Sequence, residues 1–337
     1  MEDSDPDSPA EHLLELVEEG ANEGARAYLA RLEAEGPADR KEALRELRRL
    51  VDDRPTAFSR LCGALTPYLT DDERPVRLTT AKLFVAVADG EPDAVVPAVS
   101  ALAERLADEN EFYYVRARAA EALGYVALEH PDAVASPEMV ADLRVGLSFD
   151  EPEVKAKLAK ALEYVALGSP RRLRHQVSAL LEHVADGNEL VRYHLCTAAT
   201  VVGCEYPAAL DDVRAELSGR LGDENAFVRG RAAEAFGVLA RADAGGASLP
   251  ESALAALEDD DEPFVRSRAR FALTASAARE NRETTPDEIG TVEGIRGTTA
   301  DAVDELRSPD GDGACPNCGL ALPEAGPPVC PQCGTPN

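Results

Sequence analysis

Six valine-base pairs recur along the chain at nearly constant spacing: Val76-Arg77, Val115-Arg116, Val154-Lys155, Val191-Arg192, Val228-Arg229 and Val265-Arg266. The intervals are 39, 39, 37, 37 and 37 residues. A period of this length holds one supersecondary unit that cannot bury its apolar side alone, so neighbouring units must stack. After each pair comes a run such as "VRARAAEALGYVA" (Val115 to Ala127) or "VKAKLAKALEYVA" (Val154 to Ala166). Counting the Val as position 0, small or apolar residues fall at positions 4, 5 and 8, which share one face of a 3.6-residue helix. Upstream lies a second amphipathic segment, for example "PRRLRHQVSALLEHVAD" (Pro170 to Asp186) or "AALDDVRAELSGRLGD" (Ala208 to Asp223). The unit is therefore helix, tight acidic turn, helix.

Composition agrees with that unit. Aromatic residues make up 5% of the 337, none is Trp, and the 45% apolar fraction is mostly Ala, Leu and Val. Such a core suits closely packed helices better than a sandwich or barrel.

These residues resemble HEAT repeats of the kind found in bilin lyases, with an apolar helix, an Asp-led turn, then Val-Arg and an Ala-Ala-x-x-Leu helix. The resemblance covers roughly residues 55 to 275 and implies an all-α fold, an α-solenoid of about seven helical pairs. Asp71, Asp186, Asp223 and Asp260 stand five before their Val, while "DENEFYYV" (Asp108 to Val115) is two residues longer and "DEPEV" (Asp150 to Val154) one shorter, so local bends are expected there. "NEGARAYLARLEAEG" and "DRKEALRELRRLVDD" have the two-helix shape without the Val and read as a degenerate first repeat. The expected organisation is an acidic N-terminus with a capping helix (1–21), the repeat array (22–275), a largely flexible linker (276–313) and a small metal module (314–337).

Position 1 points into the packed face, where a charge needs a partner, and the turn Asp is the nearest candidate. The resemblance implies a structural Asp-Arg ladder through Asp71, Arg77, Arg116, Asp186, Arg192, Asp223, Arg229, Asp260 and Arg266. Position 3 is expected to face outward, on the helix that lines the concave surface in this family; it holds Thr79, Arg118, Lys157, His194, Arg231 and Arg268. Position 6 adds Lys82 and Lys160, and position 10 adds Tyr125 and Tyr164. A partner-binding face is accordingly expected from Arg118, Tyr125, Lys157, Lys160, Tyr164, His194, Arg231 and Arg268. The competing reading is a solvated face. On it, Arg118-Glu121 and Arg231-Glu234 are ordinary helix-surface pairs, and Lys157, Lys160 and Arg268 are left unaccounted for.

The formal net charge is -28, from 63 acids and 35 bases, of which only five are Lys; Ile occurs twice. Acid-rich, Lys-poor, Ile-poor composition resembles that of proteins from salt-loving archaea. In molar salt the Debye length is about 3 Å, so surface repulsion is screened and the charge reflects the solvent more than a partner. Contacts to phosphate weaken steeply with salt, which favours a protein partner segment over nucleic acid. No apolar run approaches 18 residues, and "MEDSDPDSPAEH" lacks the marks of a secretory signal, so a soluble, cytoplasmic protein with no membrane contact is expected.

The periodicity stops after Ala275. Within the linker, Ile289, Val292 and Ile295 are candidates to dock on the last repeat, and "TTADAVDEL" offers Thr298-x-x-Asp301 as a helix start. Beyond it, "CPNCG" and "CPQCG" place Cys315, Cys318, Cys330 and Cys333 as two turns resembling zinc knuckles. Four thiolates make a closed tetrahedral site, so one structural Zn2+ is expected and not a catalytic one. Metal binding would fold so small a module. A rubredoxin-like iron site and a redox Cys-x-x-Cys are the alternatives, set aside because the aromatic-rich spacer and the βαβ setting are missing. From Ser308 to Asn337 there is no Lys or Arg, which favours a protein contact for this module. Cys62, Cys196 and Cys204 lie singly in helical segments and read as core thiols.

The five His form no His-Glu dipeptide of the deoxyhypusine hydroxylase type. Glycosylases with related repeats use an aromatic-lined cleft, and this chain has no Trp; nothing marks a pigment site, a P-loop or a nucleophile constellation. The expectation is a non-catalytic interaction scaffold with no small-molecule substrate. A nucleic-acid-associated protein is the alternative, and a lyase-like enzyme the third.

Overall fold

The computed structural model describes residues 9–242, 249–277 and 288–307. Among the described residues every regular element is a helix, and none is long and apolar enough to cross a membrane. The chain forms two compact units that meet in sequence between Val213 and Arg214.

The first unit runs through α1 (Pro9–Glu18), α2 (Asn22–Leu32), α3 (Pro37–Asp53), α4 (Arg74–Gly90), α5 (Val99–Ala107), α6 (Tyr113–Glu129), α7 (Pro137–Gly146), α8 (Pro152–Gly168), α9 (Val177–Leu181) and α10 (Glu189–Glu205), joined by turns and by short α- and 3-10 helical segments. Five of these, α3, α4, α6, α8 and α10, are each 17 residues long. Their common length has a cause in the sequence. Pro55, Pro92, Pro131, Pro170 and Pro207 each stand two residues past a helix end. The intervening Arg54, Glu91, His130, Ser169 and Tyr206 take φ between -158° and -125° with ψ between 57° and 91°. A residue before proline is driven out of the α region, so the helix stops there.

At the other end, Asp71, Asp108, Asp186, Asp223 and Asp260 each accept a hydrogen bond from the backbone N–H two residues on, at 2.8–3.0 Å. That turn is the Asp-led punctuation of each repeat. Asn188 and Asn225 then cap the helices that follow, each accepting from two further N–H groups.

Successive long helices of the first unit pack on one another, and the shorter helices cover them. Val76, Val115, Val154 and Val191 are fully buried in equivalent places. Small residues set the spacing: a Cβ on Gly124 would lie 2.9 Å from the Ala161 Cα, so any larger residue forces α6 from α8.

The second unit contains α11 (Arg214–Arg220), α12 (Ala226–Ala242), α13 (Glu251–Ala256), α14 (Pro263–Ala277) and α15 (Val292–Arg307). The helices α12 and α14 pack together, with Val228 and Val265 fully buried. Here the expected linker is corrected over 288–307. Ile295, Thr299, Ala302 and Val303 are buried, whereas Ile289 and Val292 are half-buried. The helix begins six residues before Thr298, whose hydroxyl therefore bonds within the helix, to the Gly294 and Ile295 carbonyls, instead of capping it. Three apolar side chains at helical spacing, and not a capping box, hold this segment in place.

Candidate functional site

Two sets of charges organise the long helices. The first is at the turns. Arg77, Arg192, Arg229 and Arg266 each direct Nη1 onto two carbonyls of their own turn, at 2.6–3.3 Å. The rest of the guanidinium can then reach the next turn. Arg229 forms a bidentate pair with Asp260, at 2.9 and 3.0 Å, and Lys155 Nζ lies 2.5 Å from Asp186. Arg40 makes the same contact with Asp71, at 2.8 Å. Arg40 stands 37 residues before Arg77, so the period itself marks it as the position-1 base of the degenerate repeat.

Turn length decides the exceptions. The two-residue insertion carries Asp108 out of reach and brings Glu111 forward, and Arg77 pairs with Glu111 at 2.7 and 2.9 Å. Burial pushes the Glu111 carboxyl up, but Arg77, the Phe112 N–H and Arg105 outweigh it and hold it below the ordinary range. The shortened turn at Asp150 leaves Arg116 a different set of contacts: Nε donates to the Leu106 carbonyl at 2.8 Å and the guanidinium stacks 4.8 Å from the Phe149 ring. For Arg116, the expectation of a turn Asp is corrected.

The second set is the expected partner-binding face, and here the correction is larger. Lys160, His194, Arg231 and Arg268 are buried, while Arg118, Tyr125, Lys157 and Tyr164 are half-buried. The stripe is not an open basic surface but one half of a set of ion pairs between neighbouring helices. Glu121 on α6 takes Arg118 at 2.8 Å from its own helix, and Lys157 at 2.7 Å and Lys160 at 3.4 Å from α8. Between α8 and α10, Glu163 is hydrogen-bonded to His194 Nδ1. In the second unit Glu234 takes Arg231 at 2.7 Å and Arg268 at 2.8 Å. The three bases that helix-surface pairing left unaccounted for are thus held by an acid one repeat earlier. Both acids stand at position 6, where a buried carboxylate can meet the position-3 base of its own helix and of the next.

Burial alone would push the Glu121 carboxyl up. The charges of Lys157, Arg118 and Lys160 more than offset that and hold it well below the usual carboxylate range. Glu234 is lowered in the same way, against its burial, by Arg231, Arg268 and the Gly290 N–H. Beside the first cluster, Tyr125 and Tyr164 pack edge to face at 5.2 Å. Lys160 Nζ sits 4.4 Å from the Tyr125 ring and bonds its hydroxyl at 2.7 Å. Burial, first, and the neighbouring acidic groups raise the Tyr125 hydroxyl above its usual range.

No group of three or more His, Cys, Asp or Glu side chains converges on a metal position among the described residues. Cys62 and Cys196 are buried and Cys204 half-buried; burial pushes the Cys62 thiol up to about 12, which suits a core thiol and not a nucleophile. Cys315, Cys318, Cys330 and Cys333, and the module of 314–337 that they define, lie outside the described residues.

No protein-family model matches the sequence, and a search of curated proteins finds none similar to it. Solved structures do match. One engineered protein aligns over 64% of this chain and 96% of its own, at 22% identity and a TM-score of 0.56. Another aligns over 90% of this chain and 85% of its own, at 19% identity and a TM-score of 0.54. A designed armadillo repeat protein in complex with the peptide (KR)4 aligns over 64% of this chain and 99% of its own, at 18% identity and a TM-score of 0.55. At these identities the likeness is one of fold, and with the repeated 17-residue helices it makes this chain a helical repeat protein of armadillo-like architecture.

Proposed function

We propose that the protein is a non-catalytic interaction scaffold that holds a segment of a protein partner along the long helices of its first unit. The observation that carries this reading is the half-buried Tyr125–Tyr164 pair on adjacent long helices, flanked by Arg118 and Lys157. Aromatic rings fixed by packing present apolar area with a polar edge at little entropic cost, which is the composition of a binding surface. The designed armadillo protein that binds a peptide supplies a precedent for the fold. Because Glu121 offsets part of the charge of Arg118, Lys157 and Lys160 inside the protein, recognition rests on packing and hydrogen bonds more than on net charge, and a protein segment is favoured over nucleic acid.

The arrangement is a HEAT-type solenoid in this proposal, working in a salty cytoplasm. The four C-terminal thiols are a complete donor set for one structural zinc, and the module they fold would give a second contact on the same chain, raising avidity through effective concentration.

A photo-crosslinking residue at Tyr164, compared with one at exposed Glu138 on α7, tests the reading in cell extract at high salt. A protein segment captured from Tyr164 and not from Glu138 supports it. Nuclease-sensitive adducts at Tyr164 turn it to the nucleic-acid alternative, and equal capture at both sites removes it.

A further inference from the structure

Arg118 and Arg231 hold the same place in their repeats, yet the Arg118 side chain is 16% exposed and that of Arg231 is 0% exposed. The cover over Arg231 is the chain's own C-terminal segment. Arg231 Nη2 donates to the Ile295 carbonyl at 3.3 Å and to the Thr298 hydroxyl at 2.9 Å. Glu234 Oε1 accepts the Gly290 N–H at 2.8 Å, and Arg241 donates to the Gly290 carbonyl. Gly290 is thus gripped on both its backbone groups by charged side chains.

Its φ is +75°, and a Cβ there would lie 2.5 Å from the Phe271 ring. The position accepts glycine and nothing larger, on grounds both of backbone conformation and of space. Five residues on, the Ile295 side chain is fully buried. The surface formed by α12 and α14 therefore reads a defined chemistry: a left-handed glycine turn followed by a helix with one buried branched apolar residue.

The occupant is built to leave. Gly294, Gly297, Thr298 and Thr299 fall inside α15, and these residue types weaken a helix in the absence of a partner surface. The described part of α15 buries only Ile295, Thr299, Ala302 and Val303. Elements with few buried apolar contacts open at a free energy well below that of global unfolding.

We propose that the α12–α14 face is a second binding surface, specific for a glycine-turn-plus-helix segment, and that residues 288–307 occupy it in cis until a partner segment of the same chemistry displaces them. This is separate from the Tyr125–Tyr164 surface of the first unit, and each has its own probe.

The test uses a fluorescent synthetic peptide of residues Glu288–Arg307 added to the full-length protein. In the wild type the tethered copy competes at an effective concentration of about 1 mM, so for a peptide with a dissociation constant of about 10 μM the apparent affinity is suppressed about 100-fold. The Gly290→Ala and Ile295→Asp variants, which change the occupant and leave the receiving surface intact, are expected to take up the peptide about 100-fold more tightly than wild type. A peptide carrying Gly290→Ala is expected not to bind. Equal binding to wild type and both variants, or binding to none, overturns the proposal. Loss of cooperative unfolding by circular dichroism in both variants also overturns it, since α15 is then an integral part of the unit. Crosslinking at Tyr164 is unaffected by any of these outcomes.

Discussion

Lys157 reaches from α8 back to Glu121 on α6, its Nζ 2.7 Å from Oε1 across a separation of 36 residues. The carboxylate it meets is almost fully buried and is shared with Arg118 and Lys160. Removing that one acid strands three cations at a helix interface. A buried charge without its partner is far more costly than the pair is stabilising. Glu121→Ala is therefore expected to destabilise the fold by about 3 kcal/mol, the lower end of the range for a broken buried pair because Lys157 and Arg118 keep some solvent contact. The combined Glu121→Leu, Lys157→Met and Lys160→Met variant is expected to recover most of the loss. Urea unfolding followed by circular dichroism measures both. A single variant within about 0.5 kcal/mol of wild type would show that the cluster is solvated after all.

The same clusters set an acid limit. Glu111, Glu121 and Glu234 are all held below the ordinary carboxylate range by cations that outweigh the cost of their burial. A carboxylate lowered in the folded state contributes its stability at pH above its unfolded value, about 4.3. That contribution is lost as the pH falls through the folded value. Urea midpoints are expected to be flat from pH 7 to about pH 5 and to drop steeply below about pH 4. Glu121→Gln is expected to lower the plateau and make the acid slope shallower. An unchanged slope in that variant would assign the acid transition to other groups.

Much of this architecture was legible before any coordinates. The valine-base period located the long helices, because a stacked unit repeats its buried positions and leaves a register in the sequence. The prolines at a matching interval also mark where each helix ends, a signal that the valine period does not draw on and that the helix ends bring out. The charge clusters were legible only in part. Taken alone, Arg118-Glu121 and Arg231-Glu234 look like surface pairs on one helix, since a single helix gives no sign that its neighbour covers it. Lys157, Lys160 and Arg268 needed the distance of 34 to 39 residues to be read as a contact. Glu111 was hidden by an insertion that shifts the turn. The docking of residues 288–307 is legible in Ile295, which is buried, whereas the grip of Arg231, Glu234 and Arg241 on backbone groups of that segment leaves no side-chain pattern beyond a single glycine.

Arg229 tests the turn ladder. It donates to two carbonyls of its own turn and forms a bidentate pair with Asp260. A lysine keeps the charge but has no planar fork, so it can serve one of these partners and not all of them. Arg229→Lys is expected to cost about 1 kcal/mol and Arg229→Ala about 2 to 3 kcal/mol, the extra coming from carbonyls left without a donor. At Lys155, where the sequence already has lysine facing Asp186, the reverse change Lys155→Arg is expected to stabilise. Thermal unfolding of the three variants orders them, and equal melting temperatures for Arg229→Lys and wild type would reduce the ladder to a simple charge contact.

The final prediction concerns the thiols. Cys315, Cys318, Cys330 and Cys333 fall in two Cys-Pro-x-Cys-Gly motifs, a donor set that would close a tetrahedral zinc site and leave no position for a substrate. Zinc measured by elemental analysis on protein purified without chelator is expected at one equivalent per chain. Cys330→Ser is expected to lower it to well under half an equivalent, because three thiolates bind much more weakly and metal binding is what folds a module with so little core. The helical signal and the melting transition of the repeats are expected to persist in that variant, since the core described for the repeats is formed by residues between Leu13 and Val303. Iron in place of zinc would shift the assignment to a rubredoxin-like centre. Full metal content in Cys330→Ser would remove that thiol from the ligand set.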